Sequence, residues 1–136
     1  MTEIPDASVA IKWFVREGET GLEAADEVHG RVVVSADRFA VPTLFVYEVA
    51  ATLCRRIALE NDLKTNLRLL WALAIPAVAP DEALMALAAE IAFKHRVSGY
   101  DAAYIALAVH LRGTWLTFDA EAFRRVRSLG VARLLR

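Results

Sequence analysis

Four carboxylates stand in unusually apolar surroundings in this 136-residue chain: Asp6, Glu48, Asp101 and Asp119. Asp6 sits in Ile4-Pro5-Asp6-Ala7-Ser8-Val9, and Glu48 interrupts Leu44-Phe45-Val46-Tyr47-Glu48-Val49-Ala50. Asp101 lies in Ser98-Gly99-Tyr100-Asp101-Ala102-Ala103-Tyr104, and Asp119 closes Trp115-Leu116-Thr117-Phe118-Asp119. A buried carboxylate must be paired, hydrogen-bonded or bound to a metal. Mg²⁺ and Mn²⁺ suit oxygen ligands, and Mg²⁺ usually keeps several waters. A cation held this way lowers the pKa of a bound water and orients it towards phosphorus; a second, about 3.5–4 Å away, would stabilise the leaving oxygen. The chemistry at stake is hydrolysis of a phosphodiester.

Each acid also has a plainer reading. Asp6, between a strand and a helix, suits an N-cap, unless Ser8 takes that role and leaves the carboxylate to a ligand. Glu48 could simply face solvent. Ser98 and Asp101 have capping-box spacing, with Asp in place of the usual Glu or Gln. Asp119 could cap the helix after it. The set weighs more than its members, because it gathers several carboxylates at one end of one sheet.

The elements that would position these acids alternate along the chain. Residues 2–5 read as a short strand, made poor by Glu3 and by Pro5, which lacks a donor. A helix over residues 7–15 ends at Gly18. Thr20 and Glu23 predict a capping box for the next helix, with Leu22, Ala25 and Val28 inward. Val32-Val33-Val34 favours strand by propensity yet could finish that helix. Residues 39–41 predict a strand, and Pro42 the first turn of a helix ending near Asn61. That helix carries Phe45, Val46, Val49, Leu53 and Ile57 at helical spacing. Residues 64–74 predict a helix with Leu67, Leu70 and Trp71, and 75–79 a strand. Asp81 and Glu82 open a helix reaching about His95, where acids favour the N-terminal dipole. A further helix runs from Ser98 to near Gly113, followed by a strand at 115–118, a helix at 121–128 and a possible strand at 131–135. This alternation implies an α/β fold with parallel crossovers and a sheet covered on both faces. Ligands on such sheets bind beyond the carboxyl ends of the strands, where Asp6 and Asp119 fall.

Composition narrows the class. One domain over residues 1–136 is expected from the length. The lone Cys54 can form no internal bridge, so we expect a reducing, cytoplasmic setting and a helix-packing role for the thiol. The uncharged stretch 69–80 is too short to span a membrane and contains Pro76 and Pro80. No basic region marks a signal peptide. The 57% hydrophobic content points to surface buried against another chain. A net charge of −1 excludes a general polycation. Even so, Arg124, Arg125, Arg127, Arg133 and Arg136 cluster without an acid after Arg124, and Arg55-Arg56 form a second pair. Such patches could meet a phosphate backbone, as could Lys12, or they could be solvated helix faces. His29, His95 and His110 lack metal-site spacing, and Gly18 and Gly21 match no phosphate loop.

Taken in order, the motifs around Asp6, Glu48, Asp101 and Asp119 resemble the PIN-domain family, and more narrowly the VapC-type toxins of prokaryotic toxin–antitoxin pairs. The resemblance runs from Asp6 to the C-terminus. It implies a PIN-like three-layer sandwich: a short, mainly parallel five-stranded sheet flanked by about seven helices. It implies a Mg²⁺- or Mn²⁺-dependent endoribonuclease acting on RNA, a homodimer, and a cognate antitoxin that inserts a segment near the site. Asp6, Glu48, Asp101 and Asp119 match the family's acidic site residues, with Asp6 and Asp101 as direct metal ligands. Glu48 and Asp119 would bind through water or help activate the attacking water. Thr117 matches the hydroxyl residue two before the last acid, and Ser8 the polar residue near the first. The backbone of the RNA would meet Lys12, Arg55, Arg56, Arg124 and Arg125. Pro5 departs from the family's apolar strand and should alter strand pairing beside Asp6. Two other classes compete. One is a non-catalytic PIN-like binding module, its acids serving as caps and surface charges. The other is a haloacid-dehalogenase-like phosphatase, disfavoured because Ser8 stands where that chemistry wants a second acid.

Overall fold

The layering follows from strand β4 (Thr114–Thr117), whose successive side chains point to opposite faces and are apolar on both. Trp115 joins a large core cluster with Ile4, Phe45, Val49, Leu53 and Ile105. Its neighbour Leu116 joins a smaller one with Val9, Val28, Val32 and Phe39. A sheet apolar on both faces must be covered on both, which gives three layers. The computed structural model describes residues 1–136.

Helices α1 (Ala7–Phe14) and α2 (Leu22–Val34) cover the Leu116 face. Helices α3 (Leu44–Arg56), α5 (Glu82–His95) and α6 (Gly99–Leu111) contribute to the Trp115 cluster, with α4 (Glu60–Ala72) and α7 (Ala120–Val126) at its margins. Helix α6 is the central one: Ala102, Tyr104, Ile105, Ala106, Leu107 and Ala108 are all buried. A helix apolar nearly all round can only be interior. None of the helices is long and apolar enough to cross a membrane.

The remaining strands are β1 (Glu3–Pro5), β2 (Val41–Pro42), β3 (Ala77–Val78) and β5 (Ala132–Leu134). All pairings are parallel. Strand β4 lies between β1 and β5, with Ile4 opposite Trp115 and Leu116 opposite Arg133. Strands β2 and β3 form a second piece. A single bridge between Glu3 and Phe39 joins the two pieces, with the Ala40 N–H donating to the Glu3 carbonyl at 3.1 Å. The order across the sheet is therefore β3-β2-β1-β4-β5. The bridge goes no further because Pro5, next on the same side of β1, has no N–H to give. Towards β4 the ladder is intact past the proline, and the Asp6 N–H donates to Leu116 at 3.1 Å. Pro5 thus weakens the β2 side of the sheet and leaves Asp6 anchored.

Several boundaries differ from the sequence expectations. Val32-Val33-Val34 complete α2 instead of forming a strand, because only Val32 has a core to enter. Gly21, in the left-handed region at φ 69°, precedes α2 without a side-chain cap. Thr20 instead offers its carbonyl to Lys12. Pro42 is the end of β2, not a helical residue, and α3 stops at Arg56. Helix α4 then starts at Glu60, earlier than expected. Cys54 is exposed, one residue past the Phe45-Val49-Leu53 stripe that α3 buries. Trp71, a candidate packing residue of α4, is 75% exposed.

Gly113 marks the tightest backbone approach. A Cβ at that position would run into the Thr2 carbonyl oxygen and the Ile4 side chain. Backbone cannot move aside as a flexible side chain can, so Gly113→Ala is expected to destabilise the fold by about 2 kcal/mol. Urea denaturation of the two proteins measures this, and equal midpoints would contradict it.

Candidate functional site

Asp6 lies one residue beyond the carboxyl end of β1 and is 5% exposed. Its Oδ1 accepts from the Ser8 N–H at 2.9 Å and from the Ser8 hydroxyl. The same hydroxyl accepts from the Phe118 N–H at 3.0 Å, so Ser8 ties the start of α1 to the end of β4. Burial pushes the Asp6 carboxyl up to about 6, against the Ser8 and Thr117 hydroxyls, which favour its charge, and with help from the nearby Asp101 charge.

Thr117 is fully buried at the end of β4, and its Oγ1 accepts from the Asp119 N–H at 3.0 Å. Asp119 caps α7, accepting from the Ala122 N–H at 3.0 Å. Asp101 occupies the first turn of α6. Its N–H donates to the Ser98 hydroxyl at 3.0 Å, and the same hydroxyl stands close enough to the carboxylate to favour its charge. The Ser98 half of the capping box is thus formed. Burial raises the Asp101 carboxyl, the Asp119 charge adds to this, and Ser98 opposes it.

Glu48, in the second turn of α3, is partly buried and accepts from the Tyr104 hydroxyl at 2.7 Å. Burial raises its carboxyl above the ordinary range; Tyr104 opposes the rise and Asp101 adds to it. Asp101 is therefore the hub: its charge bears on Asp6 and Glu48, and the charge of Asp119 bears on it. The four predicted acids are thus linked electrostatically, from two helices and two strand ends.

The region is not a closed ligand cage. As the side chains stand, no three acidic, histidine or cysteine groups are drawn together tightly enough to enclose an ion. Oxygens of Asp6 and Asp119 serve as caps, and Tyr104 holds one oxygen of Glu48. The donor set still fits a hard cation that keeps much of its own water, since Mg²⁺ usually takes only one or two carboxylates. A polar cavity of about 160 Å³ opens beside Asp101 and Asp119, lined also by Arg96, Ser98, Glu121 and Arg125.

The basic residues divide. The Lys12 ammonium is largely buried, bonded to Glu19 at 3.1 Å and the Thr20 carbonyl at 2.7 Å, and stands 4.6 Å from the Phe118 ring centre. Arg56 pairs with the same Glu19 at 3.5 Å. Arg125 pairs with Glu121 at 2.6 Å and donates to the Arg96 carbonyl. Arg55 reaches only Thr52, at 3.2 Å, and Arg124 is exposed without an ion-pair partner. Sequence reasoning overlooked two neighbours of the acids, Tyr104 and Arg96. Tyr104 had a signal, since a residue three after Asp101 lies on the same side of a helix. Arg96 had none, because it turns the chain after α5 in the left-handed region at φ 56°.

Carboxylates beyond the ends of the central strands of a parallel α/β sheet define a polar ligand site at the sheet's open end. The chain belongs to the PIN domain family, whose sequence profile matches residues 4–129. Solved structures agree on the fold. VapC20 of Mycobacterium tuberculosis, a sarcin-ricin loop cleaving toxin, superposes with a TM-score of 0.73 at 14% identity, covering 99% of this chain and all of that one. FitAB bound to an IR36 DNA fragment gives 0.71 at 16%, covering 93% and 91% of the two chains. PAE2754 from Pyrobaculum aerophilum gives 0.64 at 18%, covering 95% and 93%. A sequence comparison with curated proteins finds no match.

Proposed function

We propose that this protein is a metal-dependent endoribonuclease, the toxin of a type II toxin–antitoxin pair. The observation that carries the reading is the electrostatic hub at Asp101, where acids from separate elements disfavour one another's charge. Acids placed so that each raises the next either keep a proton or have their charge offset, and a cation offsets all of them at once. The similar folds of VapC20, a sarcin-ricin loop cleaving toxin, and of FitAB support RNA as substrate and an antitoxin as partner.

Asp6 and Asp101 would hold Mg²⁺ or Mn²⁺ directly, with Glu48 and Asp119 acting on its waters. Such an ion supplies a water of lowered pKa and charge to offset the phosphate oxygens. Ser8 and Thr117 orient Asp6 and Asp119, and their hydroxyls favour the ionised form of Asp6. Arg55 and Arg124, free of ion pairs, would meet the RNA backbone, while Lys12, Arg56 and Arg125 would have to leave existing partners. We place the activity in the cytoplasm, where the proposed substrate is. We also propose a homodimer. Tyr47, Trp71, Phe93 and Tyr100 are exposed, and an apolar groove of about 540 Å³ between Pro42, Leu44, Val78, Leu84 and Met85 is open to a second chain.

The test is cleavage of total RNA by the purified protein. Mn²⁺-dependent cutting at defined sites, stopped by EDTA, is expected. A wild-type protein that cuts no RNA with Mn²⁺ or Mg²⁺ would overturn the proposal. The second reading, a non-catalytic PIN-like module, draws on the capping roles of Asp6 and Asp119 and on the absence of a closed ligand cage. It expects no Mn²⁺ heat in calorimetry.

A further inference from the structure

Tyr104 is 1% exposed, yet its hydroxyl is committed to a single partner, Glu48, across 56 residues of sequence. Its ring packs in the same core cluster as Phe45 and Val49 of α3, on either side of Glu48 in that helix. A buried hydroxyl is costly unless bonded, so a purely structural position would favour Phe. The bond is also the only side-chain hydrogen bond joining α6 to α3. A glutamate has three side-chain torsions, and a half-buried one left free would spread over several rotamers. A tyrosine has two, and here both are fixed by packing. The phenol therefore sets where one Glu48 oxygen lies and leaves the other for a ligand.

We propose that Tyr104 is a positioning residue of this site: from α6 its hydroxyl holds the Glu48 carboxylate of α3 on the Asp101 side, where it can act on a bound divalent cation. The inference rests on the ribonuclease reading for its purpose, though not for its geometry. Burial and the adjoining acids keep the phenol protonated, so the donor is always present. Partners of this kind, which orient a ligand without touching the metal, are typically worth 10–100-fold in metal affinity or activity.

The experiment is a double-mutant cycle read by Mn²⁺ calorimetry on wild type, Tyr104→Phe, Glu48→Gln and the double variant, each first confirmed folded by circular dichroism. Tyr104→Phe is expected to weaken Mn²⁺ about tenfold. In the Glu48→Gln background the same change should do nothing further. A metal-free readout accompanies it: the Glu48 side-chain carboxyl carbon signal in NMR, single in wild type, should broaden or split in Tyr104→Phe. Unchanged Mn²⁺ affinity with a lowered melting temperature, or additive effects in the cycle, would overturn the inference and leave Tyr104 as packing. Absence of Mn²⁺ heat in wild type would strike at the ribonuclease reading instead. The carboxyl signal would then decide on Tyr104 alone, an unchanged signal refuting its positioning role and a split one upholding it.

Discussion

Asp6→Asn should make the metal-free protein more stable at neutral pH while removing its RNA cleavage. The folded state holds the Asp6 proton up to about pH 6, whereas an unfolded aspartate releases it near pH 4. Between those values the folded protein binds more protons than the unfolded one, so stability falls as pH rises. Below about pH 4 both states are protonated and nothing is lost; above about pH 6 the full cost remains, about 3 kcal/mol. Asparagine keeps an oxygen for Ser8 and carries no charge to bury. The expected gain at pH 7.5 is on the order of 2 kcal/mol, vanishing near pH 4. Urea denaturation at the two pH values with EDTA present measures it. Cleavage should fall by more than about 10²-fold, because even partners outside the ligand sphere are worth 10–100-fold. A variant less stable than wild type at pH 7.5 would show that Asp6 serves only as a helix cap.

Asp101→Asn should remove cleavage to a similar degree and betray the coupling among the acids. Its charge bears on both Asp6 and Glu48, so its loss should lower the titration of each in the metal-free protein, Asp6 falling from about 6. Burial, the larger cause in both, stays, so neither returns fully to the ordinary carboxylate range. NMR titration of the side-chain carboxyl carbons follows this directly. In wild type, Mn²⁺ affinity should fall as pH drops through about 6, since Asp6 must release its proton to bind a cation. Titrations of Asp6 and Glu48 that ignore Asp101→Asn would mean the acids do not face one another.

The layers were legible because well-marked helices alternate with short strand segments, the apolar Trp115-Leu116 among them. Asp81 and Glu82 open α5 as expected, since its cap and dipole are local. Tertiary context decided the rest. Val32-Val33-Val34 has strand propensity, but a helix already pointed Val32 inward and left Val33 and Val34 in solvent. Pro42 suits a helix start in isolation, yet the pairing of β2 with β3 retains it in the sheet. Cys54 and Trp71 are apolar in type and exposed in place, which periodicity alone does not reveal. At the candidate site, residue types and their order singled out the four acids. Their degree of convergence was hidden, because it depends on Ser8 and Tyr104 bonding across elements distant in sequence.

Anomalous diffraction from crystals soaked in Mn²⁺ reaches the core of the account most directly. It predicts a manganese peak within direct coordination distance of carboxylate oxygens of both Asp6 and Asp101, with waters completing the shell. A crystal that binds manganese only elsewhere, or not at all at millimolar concentration and neutral pH, would contradict it.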